Sequence, residues 1–291
     1  MKNNNIHNQK CYANHMAPWI IEPEWFKSTL QMVKNGVIKA QEVVEVSEIN
    51  EFYTVTSNGI AVISISGQIM KGVSKFGGTS SLLTRMALRS AMEDDKIKGI
   101  MFHIDSPGGT VAGVDELATD IARAAEKKIV RAHIDDLGAS AALWIAAQAS
   151  TLTANKMAQI GSIGAFIVLE DTSGKAEMEG IKVHVISSGP LKGAFADGAP
   201  ITDAQLASVQ KTVDDITGHF LTAISIGRGM DMDKVEALAD GSTMIAKDAL
   251  SAGLIDDVMS FEDAINDLSA EIDKLKPKGR NARARNILKL S

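Results

Sequence analysis

Hydrophobic positions along this chain follow two patterns, which are short continuous runs and repeats of three or four residues. Short apolar runs at Ile60–Ser66, Ile100–Asp105 and Ile129–Ile134 predict β-strands. Apolar residues that recur every three or four positions predict helices over Leu82–Glu93 and over residues 114–125. Since strands that alternate with helices are joined by right-handed crossovers, we expect βαβ units and a largely parallel sheet in an α/β fold.

Local signals complete this pattern. The Asn58-Gly59 pair predicts a hairpin between strands at Phe52–Thr56 and Ile60–Ser66. Asp135–Ala139 is interpreted as a turn that leads into an Ala-rich helix over Ser140–Ala149. The other predicted elements are strands at Ile163–Leu169 and Lys182–Ile186, helices at Gly174–Glu179, Asp233–Ala239 and Ala246–Ala252, and a long helix that a Thr202/Gln205 capping box opens and that runs to about Ile226.

The pattern divides the chain into three regions. We interpret residues 1–50 as an N-terminal arm, residues 51–265 as the main domain and residues 266–291 as a basic C-terminal tail. The arm contains an apolar cluster that we expect to dock on the main domain or on a neighbouring chain. The members of this cluster are Trp19, Ile20, Ile21, Trp25 and Phe26.

Charge is distributed unevenly along the 291 residues, whose net charge is −6. Seven lysines and arginines and no acid follow Asp273, so the part up to Asp273 carries −13. A basic tail on an acidic body is typical of a solvated end or of an interaction segment. Because aromatic residues make up only 4% of the chain, we expect no nucleic-acid binding apart from a contact through this tail.

The sequence lacks the signals of a secreted, membrane-spanning or metal-binding protein. Cys11 is the single cysteine, which excludes an intramolecular disulfide and a cysteine-based metal cluster. No run of about 18 apolar residues predicts a transmembrane helix, and the first ten residues lack the apolar core of a signal peptide. We therefore expect a cytoplasmic protein that needs no metal or cofactor.

Ser140 is the first residue with a candidate chemical role. It follows an apolar strand and Gly138-Ala139, and it precedes a predicted helix. A serine at the carboxyl end of a parallel strand lies where α/β active sites usually form, and the N–H group of Ala141 behind it can stabilise an oxyanion. A helix N-cap has the same pattern, so the residues alone leave both roles open.

A second candidate feature is the segment Asp105-Ser106-Pro107-Gly108-Gly109, directly after a predicted strand. A proline followed by two glycines predicts a turn with exposed backbone N–H groups, and glycines allow a ligand to approach the chain closely. Such N–H groups can donate to a developing oxyanion. A purely structural turn would have the same sequence.

Together with Gly161-Ser162-Ile163-Gly164, these motifs resemble those of the S49 peptidases, which are signal peptide peptidase A-like enzymes. The resemblance covers about residues 59–257 and includes Ser188-Gly189-Pro190-Leu191-Lys192. It implies a ClpP/crotonase-like fold and a serine endopeptidase with a Ser-Lys dyad, in which Ser140 attacks the peptide carbonyl and Lys192 accepts the proton. The oxyanion and substrate-binding residues that it implies are Gly108, Gly109, Ala141 and Ser162.

Lys192 can act as a base only as a neutral amine, which burial away from water favours. The apolar residues near it in the sequence are compatible with such burial. Lys175 is the rival base, although its acidic surroundings indicate a solvated helix face. The resemblance disfavours a Ser-His-Asp triad, because residues 161–169, where ClpP has its histidine, contain none.

Within the family, the chain more closely resembles a soluble branch that is found in tailed bacteriophages, the prohead protease or minor capsid protein C group. Proteins of this branch begin with an arm that contains an apolar-Glu-Pro segment, as Trp19–Pro23 does here. This similarity implies cleavage of scaffold and capsid proteins during head maturation, in the host cytoplasm, prohead or virion, by a homo-oligomeric ring. The chain departs from the family at Ala141 and Ala142, where glycines are common, and at Leu143-Trp144, where a tyrosine is frequent.

Three other functions remain open at this point. A bacterial protease of the soluble signal peptide peptidase A type would use the same dyad. An inactive capsid protein could retain the fold without catalysis. A crotonase-type acyl-CoA enzyme would use two backbone N–H donors on a thioester and would need no Ser-Lys pair.

Overall fold

The computed structural model describes residues 18–38 and 53–275. Its strands are β1 (Trp19–Ile21), β2 (Thr54–Val55), β3 (Ile60–Ser66), β4 (Ile69–Met70), β5 (Thr79–Ser80), β6 (Gly99–Ser106), β7 (Gly108–Thr110), β8 (Ile129–Ala139), β9 (Thr151–Ala154), β10 (Gln159–Gly161), β11 (Thr243–Ile245) and β12 (Asp257–Val258). Its helices are α1 (Pro23–Lys34), α2 (Ser81–Glu93), α3 (Val114–Ala125), α4 (Ala141–Ala146), α5 (Ser173–Met178), α6 (Asp203–Arg228), α7 (Met232–Ala237), α8 (Ala246–Ala252) and α9 (Phe261–Leu275).

The larger sheet has eight strands and is parallel through its centre. β3 pairs with β6 along its whole length, and β6 pairs with β8. The first part of β8 pairs with β9 and its last part with β10, again in parallel. β2 pairs antiparallel with β3, which confirms the hairpin at Asn58-Gly59. The α/β class and the parallel sheet expected from the alternation of strands and helices are therefore present.

Helices cover both faces of this sheet, because successive residues of a strand point to opposite faces. Phe102 of β6 is buried in the cluster that contains Leu88 of α2 and Leu117 of α3. Its neighbour Met101 points the other way and packs against Leu268 of α9. This packing fixes the carboxyl ends of β6 and β8 at one edge of the sheet, where the candidate residues lie.

A smaller sheet of four strands, in the order β1-β7-β4-β5, lies beside that edge. β7 begins two residues after β6 ends and is shared between β4, its parallel neighbour, and β1, its antiparallel neighbour. Trp19, Ile20 and Ile21 are all buried there. The two sheets thus meet at the Asp105–Gly109 segment.

Three of the predictions from the sequence are wrong. Asp135–Ala139 is not a turn, because β8 continues to Ala139 and its last three residues pair with β10. Ile163–Leu169 and Lys182–Ile186 form no regular strand, and only Phe166 pairs, with Trp19. β9 and β10 were not predicted, and the helix after Ser140 is the short α4.

The distal half agrees more closely with prediction. Thr202 and Gln205 form the capping box that opens α6, and α8 ends at Gly253 in the left-handed conformation. The boundary predicted at residue 266 falls inside α9, whose Leu268 and Ile272 are buried on the main domain. Cys11, the rest of the arm up to residue 17 and from 39 to 52, and the tail from residue 276 lie outside the described residues.

Within residues 18–38 and 53–275, no helix is both long and apolar enough to cross a membrane.

Candidate active site

Ser140 has the most unusual backbone of the candidate residues. It joins β8 to α4 with φ 56° and ψ −119°, in a region that costs a residue other than glycine about 1–3 kcal/mol and that occurs mostly at functional sites. Its N–H donates to the Gly161 carbonyl oxygen at 2.8 Å, and its carbonyl accepts from Trp144 N–H at 3.0 Å. Two backbone hydrogen bonds therefore hold the strained turn in place.

The Ser140 side chain has no structural role in this turn. It forms no capping bond to α4, so the N-cap role that the sequence left open is excluded. The residue is fully buried, and its Oγ has no hydrogen-bond partner among the described residues. A buried hydroxyl without a partner costs free energy, so this one is unexplained by folding alone.

Gly108 lies directly against the Ser140 turn. Its φ is 96°, and a Cβ at this position would overlap the Ile20 carbonyl oxygen and lie 2.9 Å from Ala141 N. Ala141 is the first residue of α4, so its N–H has no acceptor within the helix. The predicted oxyanion donors Gly108 and Ala141 are thus brought together beside Ser140.

Gly109, the next residue of this turn, has a clearer structural reason to be glycine. A Cβ on Gly109 would overlap the Ile69 carbonyl oxygen, so the packing of β4 on β7 accounts for this glycine. The N–H group of Gly108 donates to Ser106 Oγ at 3.2 Å, and Ser106 Oγ donates to the Gly67 carbonyl at 2.6 Å. These bonds fix the orientation of the glycine turn.

The Gly161–Gly164 motif forms the other wall of the site. Gly161 accepts the Ser140 N–H bond and has φ 134°, and a Cβ on it would lie 2.6 Å from the Ser242 carbonyl oxygen. Ser162 is buried with φ 53°, and its N–H donates to the same carbonyl at 2.6 Å. The motif therefore holds a second strained serine beside the first.

Lys192 is not part of this cluster in the single chain. It lies exposed in a segment of turns, where its backbone N–H donates to Gly189 O at 3.1 Å. Since Ser140 Oγ has no partner within hydrogen-bond distance among residues 18–38 and 53–275, the Lys192 amine does not contact it. The rival Lys175 is also exposed, on α5.

His133 and His103 do not supply a base for Ser140 either. His133 is buried in β8, with Nδ1 2.8 Å from Thr153 Oγ1 and Nε2 3.3 Å from Asn155 Oδ1, and burial lowers its pKa. His103 is its register partner on β6. Seven residues of extended chain separate His133 from Ser140, on the order of 20 Å.

Asp105, at the carboxyl end of β6, begins the segment that the sequence singled out, but the acidic residues that approach it were not predicted. Burial and then the neighbouring Asp136 and Asp135 carboxylates raise its pKa. These acids come from two adjacent strands, and the irregular register between β6 and β8 brings them together. The Asp105 position before the glycine turn was visible in the sequence, but the approach of Asp136 depended on an unpredicted continuation of β8.

Comparisons with known proteins agree with these motifs. The family model of peptidase family S49 matches residues 122–274. A candidate protease of Synechocystis sp. (slr0021) is 31% identical over 73% of this chain and 74% of its own length. Capsid assembly protease C of Escherichia phage lambda is 29% identical over 76% of this chain and 51% of its own length. Protease 4 of Salmonella typhi is 29% identical over 76% of this chain and 36% of its own length.

The chain therefore spans about half of the phage protein and about a third of the Salmonella protein, but most of the Synechocystis one. The family model covers more than half of the chain, and it includes Ser140, the Gly161–Gly164 motif and Lys192. On this match and on the motifs assembled around Ser140, the chain belongs to peptidase family S49.

Proposed function

We propose that this protein is a serine endopeptidase with a ClpP/crotonase-like fold, in which Ser140 is the nucleophile and Lys192 the general base. The observation that supports it most is the state of Ser140. A strained, buried serine, whose hydroxyl has no hydrogen bond to any residue that the structure describes, lies against Gly108 and the first N–H of α4. Most buried hydroxyl groups have a hydrogen-bond partner. Ser81 also lacks one among the described residues, but only Ser140 combines an unpartnered hydroxyl with a positive φ.

The proposed reaction combines this serine with the lysine that the family resemblance implies. The neutral Lys192 amine accepts the proton of Ser140 while Oγ attacks the peptide carbonyl carbon. The carbonyl oxygen becomes an oxyanion, and the backbone N–H group of Ala141 stabilises it. A second donor from the Gly108-Gly109 turn requires the Gly108 N–H to leave Ser106 Oγ, to which it donates in the single chain. The C–N bond then breaks, the lysine returns its proton to the leaving amine, and water hydrolyses the acyl-enzyme with the lysine again as base.

This mechanism requires Lys192 to leave its exposed position. Its segment also exposes large apolar side chains, among them Ile186 at 97% and the half-exposed Ile181 and Leu191. Apolar side chains grouped on a surface are typical of an interaction site. We propose that this segment is covered in a homo-oligomeric ring, where Lys192 is buried and meets a Ser140 of the same or of a neighbouring subunit.

Two variants and their mixture test the dyad. Hydrolysis of fluorescently labelled casein, an unfolded protein substrate, is expected for the wild type and lost in Ser140→Ala and Lys192→Ala. Lys175→Ala is the matched control and should retain activity. Loss of activity in Lys175→Ala with retention in Lys192→Ala would assign the base to Lys175 instead.

Mixing the two inactive variants after reversible dissociation shows which subunits form a site. If serine and lysine come from different subunits, an equimolar mixture should recover about a quarter of the wild-type rate, because each site draws its two residues independently. A mixture that stays inactive would place both residues in one chain. Activity of Ser140→Ala alone would refute the proposed nucleophile.

For the biological substrate, we propose scaffold and capsid proteins during phage head maturation. The support is the similarity to the lambda protein, which is named a capsid assembly protease. Co-expression with a scaffold and a capsid protein, followed by intact-mass analysis, should show cleavage that Ser140→Ala abolishes. Cleavage of signal peptides alone would favour the alternative, a bacterial protease of the signal peptide peptidase A type.

The remaining two alternatives make different predictions. An inactive capsid protein of this fold would show no hydrolysis in the wild type. A crotonase-type enzyme would bind acyl-CoA and would leave the strain at Ser140 without a purpose. Calorimetric titration of acetyl-CoA should therefore show no binding.

A further inference from the structure

The proposed hydrolysis has a steric problem, because Ser140 is enclosed. Its relative exposure is 0%, and its Oγ is inaccessible to water. A peptide carbonyl can reach Oγ only after some element has moved. The element that lies next to Gly108, the neighbour of the Ser140 turn, is β1.

β1 fills a slot between the segments that follow two of the site motifs. On one edge it pairs antiparallel with β7, where Glu22 N–H donates to Pro107 O at 2.7 Å and Val111 N–H to Pro18 O at 3.4 Å. On the other edge Trp19 and Phe166 exchange two backbone hydrogen bonds, both of 2.9 Å. β1 is therefore bonded on both sides, as a central strand is.

This slot leads directly to the reactive groups. β7 continues from the Asp105–Gly109 segment, and Phe166 follows the Gly161–Gly164 motif by two residues. The Ile20 carbonyl oxygen occupies the space next to Gly108, which in turn packs on Ala141 N. A backbone carbonyl of β1 is thus already close to the proposed oxyanion donors.

We propose that β1 is a resident strand in the substrate slot, so that a substrate peptide binds there as an extended strand only after β1 has left. This inference rests on the proposed function. Addition of an extended peptide to strand edges satisfies its backbone groups and selects side chains through alternate pockets. Since Trp19, Ile20 and Ile21 are all buried, the slot accepts extended segments with large apolar side chains.

The helix after β1 adds little to the attachment of this strand. The helix that follows, α1, contains no buried residue. The strand itself is held by its pairing on both edges and by the burial of Ile20 in the main apolar cluster. Aromatic contacts of Trp19 with Phe26, at a centroid distance of 4.9 Å, and of Phe26 with Phe166, at 5.8 Å, add to this attachment. With a resident strand, the apparent affinity for a substrate equals the intrinsic affinity multiplied by the fraction of molecules in which the slot is open.

The first test weakens β1 in the full-length chain. Ile20→Asp places a carboxylate at a position of 0% exposure in the slot, so it should release β1 and raise the initial rate of labelled-casein hydrolysis about tenfold or more, mainly through a lower KM. Met32→Asp is the matched control, because Met32 is 45% exposed on α1 and lies outside the slot. It should leave the rate unchanged.

The second test locks β1 in place. Trp19 and Thr110 are partners in register and form a non-hydrogen-bonded pair, for which the Cα separation is about 4.5 Å, within the range of a disulfide. In a Cys11→Ser background, Trp19→Cys with Thr110→Cys should close this bond under oxidation. The oxidised protein should hydrolyse casein at least about tenfold more slowly than the same protein after reduction. Cys11→Ser alone should respond to neither treatment.

The outcomes separate this inference from the proposed function. A folded Ile20→Asp variant that is no faster than the wild type, or a stapled protein as active when oxidised as when reduced, would overturn the role of β1 while Ser140 remained the nucleophile. If neither the wild type nor any folded variant hydrolyses casein in either state, the proposed function fails and this inference fails with it. Circular dichroism confirms folding in each case.

Discussion

Replacing Ser140 by alanine should abolish hydrolysis and yet stabilise the protein. The substitution removes a hydroxyl that is buried and has no hydrogen-bond partner among the described residues. Leaving such a group unsatisfied costs about 1–3 kcal/mol, and this cost disappears with the oxygen. The strain of the positive φ stays, because alanine has the same Cβ, so we expect the free energy of unfolding to rise by about 1–3 kcal/mol.

The sign of this change distinguishes a reactive serine from a structural one. A serine that capped α4 would lose about 0.5–2 kcal/mol on replacement by alanine. Thr202→Ala provides the matched control, because Thr202 accepts a capping bond from Gln205 N–H at 3.4 Å and opens α6. This variant should lower the free energy of unfolding by the amount typical of a lost cap.

Equilibrium urea unfolding, followed by circular dichroism at constant protein concentration, measures both changes. The midpoint should move up for Ser140→Ala and down for Thr202→Ala with similar slopes. A loss of stability in Ser140→Ala comparable to that of Thr202→Ala would refute the reasoning, since it would mean that the hydroxyl stabilises the fold.

Three further perturbations follow from the contacts of the described residues. Gly108→Ala should destabilise the fold by about 1–3 kcal/mol, because its φ is 96° and a Cβ would overlap the Ile20 carbonyl. It should also abolish casein hydrolysis, because the same Cβ would lie 2.9 Å from the proposed oxyanion donor Ala141 N. Gly72→Ala, whose Cβ would meet nothing within 4 Å, should do neither, and equal losses of stability in urea unfolding would contradict the packing at Gly108. Arg131→Met should lower the free energy of unfolding by about 1–2 kcal/mol, because it removes a buried guanidinium group. This group donates to two partly exposed carboxylates of α9, Asp267 at 2.7 Å and Glu271. An unchanged urea midpoint would show that these ion pairs do not contribute to stability. Burial lowers the pKa of His133 below 6.5, so the unfolded state binds more protons and stability should fall as the pH drops through about 6.5. In urea unfolding at pH 7 and pH 5, His133→Gln should lose less stability between the two pH values than the wild type. An equal loss in the variant would mean that other groups cause the pH dependence.

The regular helices and strands of the fold could be predicted from local patterns in the sequence. β6 is a nearly continuous apolar run, and the apolar residues of α3 recur every three or four positions. Thr202 and Gln205 form a capping box that acts within one turn. These signals are local, so tertiary packing did not have to be known. The Ser140 position was predictable for the same reason, because a strand, a small-residue turn and a helix follow one another directly.

The elements that were predicted wrongly or not at all depend on partners that are distant in the sequence. Asp135-Asp136 has the composition of a turn, but β10 provides a parallel partner for Leu137–Ala139 and continues the strand. β1 has only three residues, and its pairing with β7 joins positions about ninety residues apart in the sequence. Lys192 was identified by family resemblance, and its place in the active site stays a prediction, because the amine is exposed in the single chain.

The central claim is that Ser140 performs peptide hydrolysis. The most direct measurement compares the initial rate of labelled-casein hydrolysis by the wild type, Ser140→Ala and Ser81→Ala, each purified in the same oligomeric state. Ser81 is the matched control, since it is also fully buried with an Oγ that lacks a partner among the described residues but has an ordinary φ. The account predicts activity in the wild type and Ser81→Ala and none in Ser140→Ala, whereas equal hydrolysis by all three would contradict it.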